Sequence, residues 1–242
     1  MADSETVLLI DAGNTHVKIC TVHNGVIQTL KRIPNTEGAI NSSLLPYGSI
    51  PKALSSVLNQ ASTEELEGQL SNCLLITSKT PLPITLDYET PETLGIDRIC
   101  NACAMLRLSQ THVAISIDIG TCIKFDVLEG NTYKGGSISP GIDLRYRSMH
   151  EFTGRLPLLD NRNNIQLTGK SSVKSMHSGV INGIQAEING LMANYRECYS
   201  DLTFFITGGD AVYFDFEGKS DIFVAENLTL EGMYTIYSFN AK

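Results

Sequence analysis

The chain lacks any apolar run close to the roughly 18 residues that span a bilayer, so no membrane-crossing helix is expected. Its opening, MADSETVLLID, carries no basic stretch, and Val7 to Ile10 is too short for a secretory signal. A cytoplasmic location follows as the expectation. Basic residues are scarce: 18 Lys and Arg stand against 26 Asp and Glu, a net charge of −8. That argues against a broad cationic surface for nucleic acid, while a local site for a small anion stays open. Cys100-x-x-Cys103 has no second ligand pair nearby, and His23, His112, His150 and His177 form no ligand-spaced set, so a zinc site is not expected. Six cysteines in a chain of this length, without a secretion signal, do not imply disulfides. Within RICNACAML the two cysteines share helical spacing with Ile99 and Leu106 and read as small buried hydrophobes.

What is present is an ordinary globular composition, 42% hydrophobic and 18% charged over 242 residues, enough for one large domain or two modest ones. Strands are predicted over 6–11, 16–22 and 26–33, the last two joined by the Asn24-Gly25 hairpin signal. SIPKALSSVLNQ reads as a helix with Ser49 as cap and Pro51 in its first turn. Strands at 73–77 and 84–88 precede a helix opening at Ile96. The pattern then restarts. HVAISIDIG is a strand, and two further strands flank Gly130-Asn131. PGIDLRYRSMHEF and 173–198 are helices, LTFFITGG is a strand, and 228–239 is a closing helix.

LLIDAGNTHVKICTVHNGVI and ISIDIGTCIKFDVLEGNTYKGG are therefore two copies of one device: strand, Asp-x-Gly, Thr, Lys, strand, hairpin turn. Two α/β domains, 1–116 and 117–242, meeting at a cleft, are expected. An Asp-x-Gly corner at a strand end leaves backbone N–H groups free to form an anion nest, and glycine lets a ligand approach. A lysine a few residues on supplies charge for phosphate. A carboxylate beside a phosphate usually has a cation between them.

Asp11-Ala-Gly-Asn-Thr-His-Val-Lys18, Gly95-Ile-Asp-Arg98 and Asp118-Ile-Gly-Thr121 resemble, in order, the motifs of the type III pantothenate kinases. GGSISPGIDLR, TGRLPLL, GKSSVKSMHSG and ITGGDA extend the likeness over nearly the whole chain. That family belongs with acetate and sugar kinases, heat-shock ATPases and actin. The resemblance implies two ribonuclease H-like, actin-like α/β domains with mixed sheets and an active site in the interdomain cleft. It implies ATP held by Asp11, Ala12, Gly13, Asn14, Thr15, His16, Val17, Lys18 and Thr121, with Mg2+ bridging its phosphates. It implies pantothenate bound by Tyr88, Gly95, Ile96, Asp97, Arg98 and Ser172, with Asp97 as catalytic base. Asp118 would hold a monovalent cation, K+ or NH4+, and Gly208 to Asp210 would lie on the nucleotide side. A homodimer is implied too, and the helix over 173–198, with Ala186 and Gly190 four apart, is a candidate interface. No nucleic-acid or membrane partner is expected.

The chain departs from the family at two places. The second corner usually reads Asp-x-Gly-Thr-Ala-x-Thr, but here Cys122 and Lys124 stand in it. Lys124 either replaces the monovalent cation or turns away with its stem packed on the sheet. Ser172 stands where the family has threonine, keeping the hydroxyl and losing a methyl. The competing functions are another small-molecule kinase of the same superfamily, since fold does not fix function, and a non-catalytic transcriptional accessory factor.

Overall fold

The computed structural model describes residues 6–13, 16–48, 50–160, 165–216 and 220–241. The chain divides into two compact units. One holds Met1–Leu108, Asn131–Tyr133 and Asn227–Lys242; the other holds Ser109–Gly130 and Lys134–Glu226. This grouping differs from a single cut at 116. The closing helix returns to the first unit because its apolar face is buried there.

In the first unit β1 (Thr6–Ala12), β2 (His16–His23) and β3 (Val26–Pro34) form an antiparallel meander, and β1 also pairs in parallel with β4 (Lys52–Ser56). Addition of β5 (Cys73–Leu75) gives the order β3-β2-β1-β4-β5. Leu8, Ile10, Ala12, Val17, Ile19 and Leu54 make its core, with Ile40 of α1 (Glu37–Leu44) and Leu66 of α2 (Gln60–Gly68).

β4 corrects the helix expected over 49–60. Ala53 and Leu54 are buried in a strand flanked on both sides, so the apolar run shows no alternation, and a short run of this kind does not reveal its period. The buried Lys52 ammonium donates to the carbonyls of Gly48, Ile50 and Ser71 at 2.7, 2.8 and 3.1 Å. The helix starts later, where Asn59 caps α2 by accepting from Ser62 N. The proposed cap Ser49 lies outside the described residues.

The second unit repeats the plan. β7 (Val113–Ile119) pairs antiparallel with β8 (Cys122–Glu129) and parallel with β10 (Leu202–Thr207), which pairs parallel with β11 (Ile222–Val224). With β9 (Thr132–Pro140) beside β8, five strands in the order β9-β8-β7-β10-β11 repeat the first sheet's β3-β2-β1-β4-β5, and a sixth strand pairs outside β9. The duplication read from the two hairpins thus extends to both mixed sheets. α4 (Ile142–Glu151) follows. The single helix expected over 173–198 is α5 (Ser172–His177), one π-helical turn at Ser178–Asn182, then α6 (Gly183–Cys198). Among the described residues no helix is long and apolar enough to cross a membrane.

All six cysteines are free, and Cys100 and Cys103 lie buried inside α3 (Ile96–Leu108), as their spacing indicated. Burial pushes the Cys20 and Cys103 thiols up to about 12 and Cys73 to about 11. Thiolate being the reactive form, a thiol reagent at mild alkaline pH should label the exposed Cys198 first and reach Cys20, Cys100 and Cys103 only after unfolding. Peptide mapping of briefly labelled native protein checks this; early modification at Cys103 would contradict it.

Candidate functional site

The first corner closes where β1 hands over to β2. Gly13 N donates to His16 O at 3.0 Å, and a Cβ on Gly13 would come within 2.9 Å of that same oxygen, so the turn is tight enough to demand glycine. Asn14 and Thr15 lie outside the described residues. Ala12 and Val17 are buried and anchor the turn from below. Asp11 and Lys18 are paired across the strands, and Lys18 is paired in turn with Arg32 on β3, so three charged residues form a row across the sheet. His16 sits beside them: Arg32 Nη2 donates to its Nδ1 at 3.3 Å. Its pKa is lowered, first by burial and then by the Arg32 charge, which keeps the ring neutral and able to accept. Asn35 braces the turn by donating to Gly13 O at 3.1 Å.

The second site segment is the start of α3. Gly95 O accepts from Arg98 N and Ile99 N, opening the helix, and Asp97 Oδ1 accepts from Arg98 N at 2.9 Å. A Cβ on Gly95 would sit 2.7 Å from Asp97 Oδ1, so glycine is what leaves the carboxylate its position. Arg98 is only 4% exposed, its guanidinium 5.9 Å from the centre of the Tyr133 ring. Tyr88 packs on Tyr133 from the other direction, ring centres 5.9 Å apart. The backbone makes this meeting. Thr85 and Leu86 of β6 (Thr85–Leu86) pair in parallel with Thr132 and Tyr133, and Asp87 N donates to Tyr133 O at 3.0 Å. Tyr88 and Arg98 thus both lie against Tyr133, which the sequence did not single out, and Asp97 adjoins Arg98 through its N–H.

Cys100, one turn into α3, connects these two places. Its thiol pKa is raised well above normal, chiefly by burial, then by Cys103, Asp11 and Asp97. Both carboxylates therefore act on one buried point of the first unit. Helix α7 (Leu228–Asn240) holds α3 in place. Gly232 lies against the Cys100 carbonyl, Thr229 Oγ1 donates to Asn101 Oδ1 at 2.9 Å, and Arg107 pairs with Glu231.

In the second unit three segments converge on the Asp118 corner. Gly141 N donates to Thr121 O at 3.0 Å, and a Cβ there would stand 2.0 Å from Gly120 O. Gly208, at φ +99°, lies so close to Ile119 that a Cβ would be 2.2 Å from its carbonyl, and Asp210 N donates to that carbonyl at 2.9 Å. Thr121 is exposed beside this glycine-lined corner. Lys124, directly across from Asp118 in the strand pairing, forms an ion pair with it at 2.7 Å. Ser172 is exposed in the first turn of α5, whose cap is its neighbour Ser171.

The described geometry is a tight glycine corner, a helix-borne carboxylate with an aromatic-flanked arginine, and a second acidic corner. Comparison with known proteins decides the family. The type III pantothenate kinase family model matches residues 7–194.

The chain belongs to the type III pantothenate kinase family.

It is 35% identical over 234 residues to the type III pantothenate kinase of Cytophaga hutchinsonii, covering 96% of this chain and 99% of that one. It is 31% identical to that of Phocaeicola vulgatus, over 97% and 99% of the two chains. Solved structures agree on the fold. A Campylobacter jejuni protein assigned to the Baf family of transcriptional activators superposes with TM-score 0.64 at 21% identity, covering 97% of this chain and 98% of that one. Glucokinase from an Antarctic psychrotroph gives 0.51 at 12% identity, over 96% and 98%. At these identities the likeness speaks for the actin-like kinase fold alone.

Membership gives Gly95, Asp97 and Arg98 a context that spacing alone lacks. The residues that sequence reasoning missed are Tyr133, Arg32, Asn35 and Gly141. Arg32 was within reach, since it follows the lysine-bearing strand across a recognised hairpin. Tyr133 was not, because only the distant β6 pairing brings it to Arg98.

Proposed function

We propose that this chain transfers the γ-phosphoryl group of ATP to the primary hydroxyl of pantothenate, giving 4'-phosphopantothenate and ADP, the first step of coenzyme A biosynthesis. The observation that carries this is Asp97 at the open start of α3, beside the Arg98, Tyr133 and Tyr88 cluster, in a chain of this family. The hydroxyl oxygen bonds to phosphorus as the bond to the bridging oxygen of ADP breaks, and the hydroxyl proton passes to the Asp97 carboxylate. Arg98, a planar fork held by Tyr133, is suited to the substrate's carboxylate. Tyr88 would line the same pocket, Gly95 and Ile96 would approach the substrate through the backbone, and Ser172 would offer a hydroxyl.

On the nucleotide side, the turn from Asp11 to Lys18, including Asn14 and Thr15, would hold phosphates, with Thr121 contributing from the second corner. The tightness of the turn at Gly13 and the Asp11–Lys18–Arg32 row favour that role. Mg2+ travels with ATP and spreads its phosphate charge. Asp11 is the carboxylate of the first corner that would meet it. The alternatives, a transcriptional accessory factor or a kinase for another small molecule, are not favoured, given the family and the intact Asp97 and Arg98. A cytoplasmic homodimer belongs to the same reading. Ala186 and Gly190 lie exposed on α6, as an interface would need. Light scattering at the dimer mass checks this.

The test is an ADP-release assay with purified protein, ATP, Mg2+ and pantothenate. Pantothenate-dependent turnover is expected, and silence from folded protein overturns the reading. Gly95→Ala probes the site more finely. Its Cβ would displace the Asp97 carboxylate, so kcat should fall by about 10²-fold, as for a reacting group misplaced by an ångström, while the melting temperature stays nearly unchanged. An unaltered kcat would remove Asp97 from the reaction.

A further inference from the structure

The Asp118–Lys124 pair is more shielded than the part-buried Arg145–Glu187 and Arg196–Asp221 pairs. Lys124 Nζ stands 2.7 Å from Asp118 Oδ2, and the side chains are only 16% and 15% exposed. Removed this far from solvent, the carboxylate needs a counter-charge at hand, and salt screens the pair poorly. Strand pairing holds the two together, since Asp118 faces Lys124 on the neighbouring strand. The first corner has the same register, with Asp11 facing Lys18. Lys124 thus makes the second corner a fuller copy of the first. The ammonium does not turn away along the sheet; it lies on the carboxylate.

This arrangement does not fit a monovalent cation at Asp118. The oxygen that such an ion would take already accepts from an ammonium, and a second positive charge within reach of Lys124 would be repelled by it. We propose that Lys124 is the built-in monovalent cation of the second corner, and that phosphate transfer by this chain requires neither K+ nor NH4+. The inference rests on the kinase reading, and its test separates the two.

Turnover and melting temperature are measured for the wild type, Lys124→Thr and Lys124→Gln in choline chloride, KCl and NH4Cl at one ionic strength. For the wild type, kcat should agree within about twofold across the salts, and the melting temperature should show no preference for K+ or NH4+. Lys124→Thr leaves the Asp118 carboxylate without its partner. It should be impaired in choline and regain at least about tenfold in kcat/KM on adding K+ or NH4+, the signature of one restored charge interaction. Its melting temperature should rise in those two salts and not in choline, and Lys124→Gln should follow it. A wild type that needs K+, or is selectively stabilised by it, overturns the proposal, as do variants indifferent to salt identity. A wild type silent in every salt would instead count against the kinase reading, while the melting series still decides the question of the cation.

Discussion

Asp97→Asn should lower kcat by about 10²–10⁴-fold, the range typical of a lost general base, with the melting temperature almost unmoved. The substitution is chosen for its geometry. Asp97 Oδ1 accepts from Arg98 N at 2.9 Å, and an asparagine oxygen can accept the same hydrogen bond, so the opening of α3 keeps its contact. What disappears is the ability to take a proton from the hydroxyl. If Asp97 only positions substrate, KM should rise while kcat survives. A regulator without catalysis would show no kinetic change at all. Steady-state kinetics in both substrates, beside a thermal melt, distinguish these outcomes, and wild-type kcat from the variant would exclude Asp97 as the base.

Gly232→Ala should be among the most damaging single-methyl changes in the molecule. A Cβ at Gly232 would lie 1.7 Å from Cys100 O and 2.4 Å from its carbonyl carbon, both backbone atoms of α3. No rotamer relieves that clash, so α7 must withdraw from α3 and the buried contacts of Leu228, Leu230, Met233 and Ile236 loosen with it. A loss of about 3 kcal/mol or more is expected, at the upper end for overpacking, equal to a melting shift of roughly 6–12 °C in a chain of this size. Because α3 carries Asp97 and Arg98, activity should fall below the melting temperature as well. Gly68→Ala is the control. It is the exposed last residue of α2, with nothing within 4 Å of an added Cβ, and it should leave stability unchanged or raise it by about 0.4–1 kcal/mol. A Gly232→Ala protein as stable as the wild type would mean that α7 does not sit against α3 as described.

The two corners were legible because their information is local. Asp-x-Gly at a strand end, followed by a hairpin turn, is set by neighbours along the chain, and its repetition announced two similar sheets before any coordinates. The helix at Ile96 was equally plain, since Cys100 and Cys103 share an apolar face with their neighbours. The segment Lys52–Ser56 was misread for the complementary reason. It pairs with β1 and β5 at its edges while helices cover both faces, so Lys52 to Ser55 are all buried, and a run without alternation carries no period. The π-turn at Ser178–Asn182 likewise left no mark on a sequence that reads as continuous helix.

The sequence by itself determined the duplicated acidic corners, the buried helix with Asp97 and Arg98 at its start, and the kinship those motifs carry. Only the tertiary structure decided that Tyr133 contacts both Arg98 and Tyr88, that α7 returns to the first unit to hold α3, and that the Lys124 ammonium lies on Asp118 instead of turning away. The division follows from range. Turn chemistry and helical periodicity act between residues a few positions apart, whereas the first two contacts are made by strand pairing and helix packing between distant segments, and the third depends on a side-chain orientation that residue order does not fix.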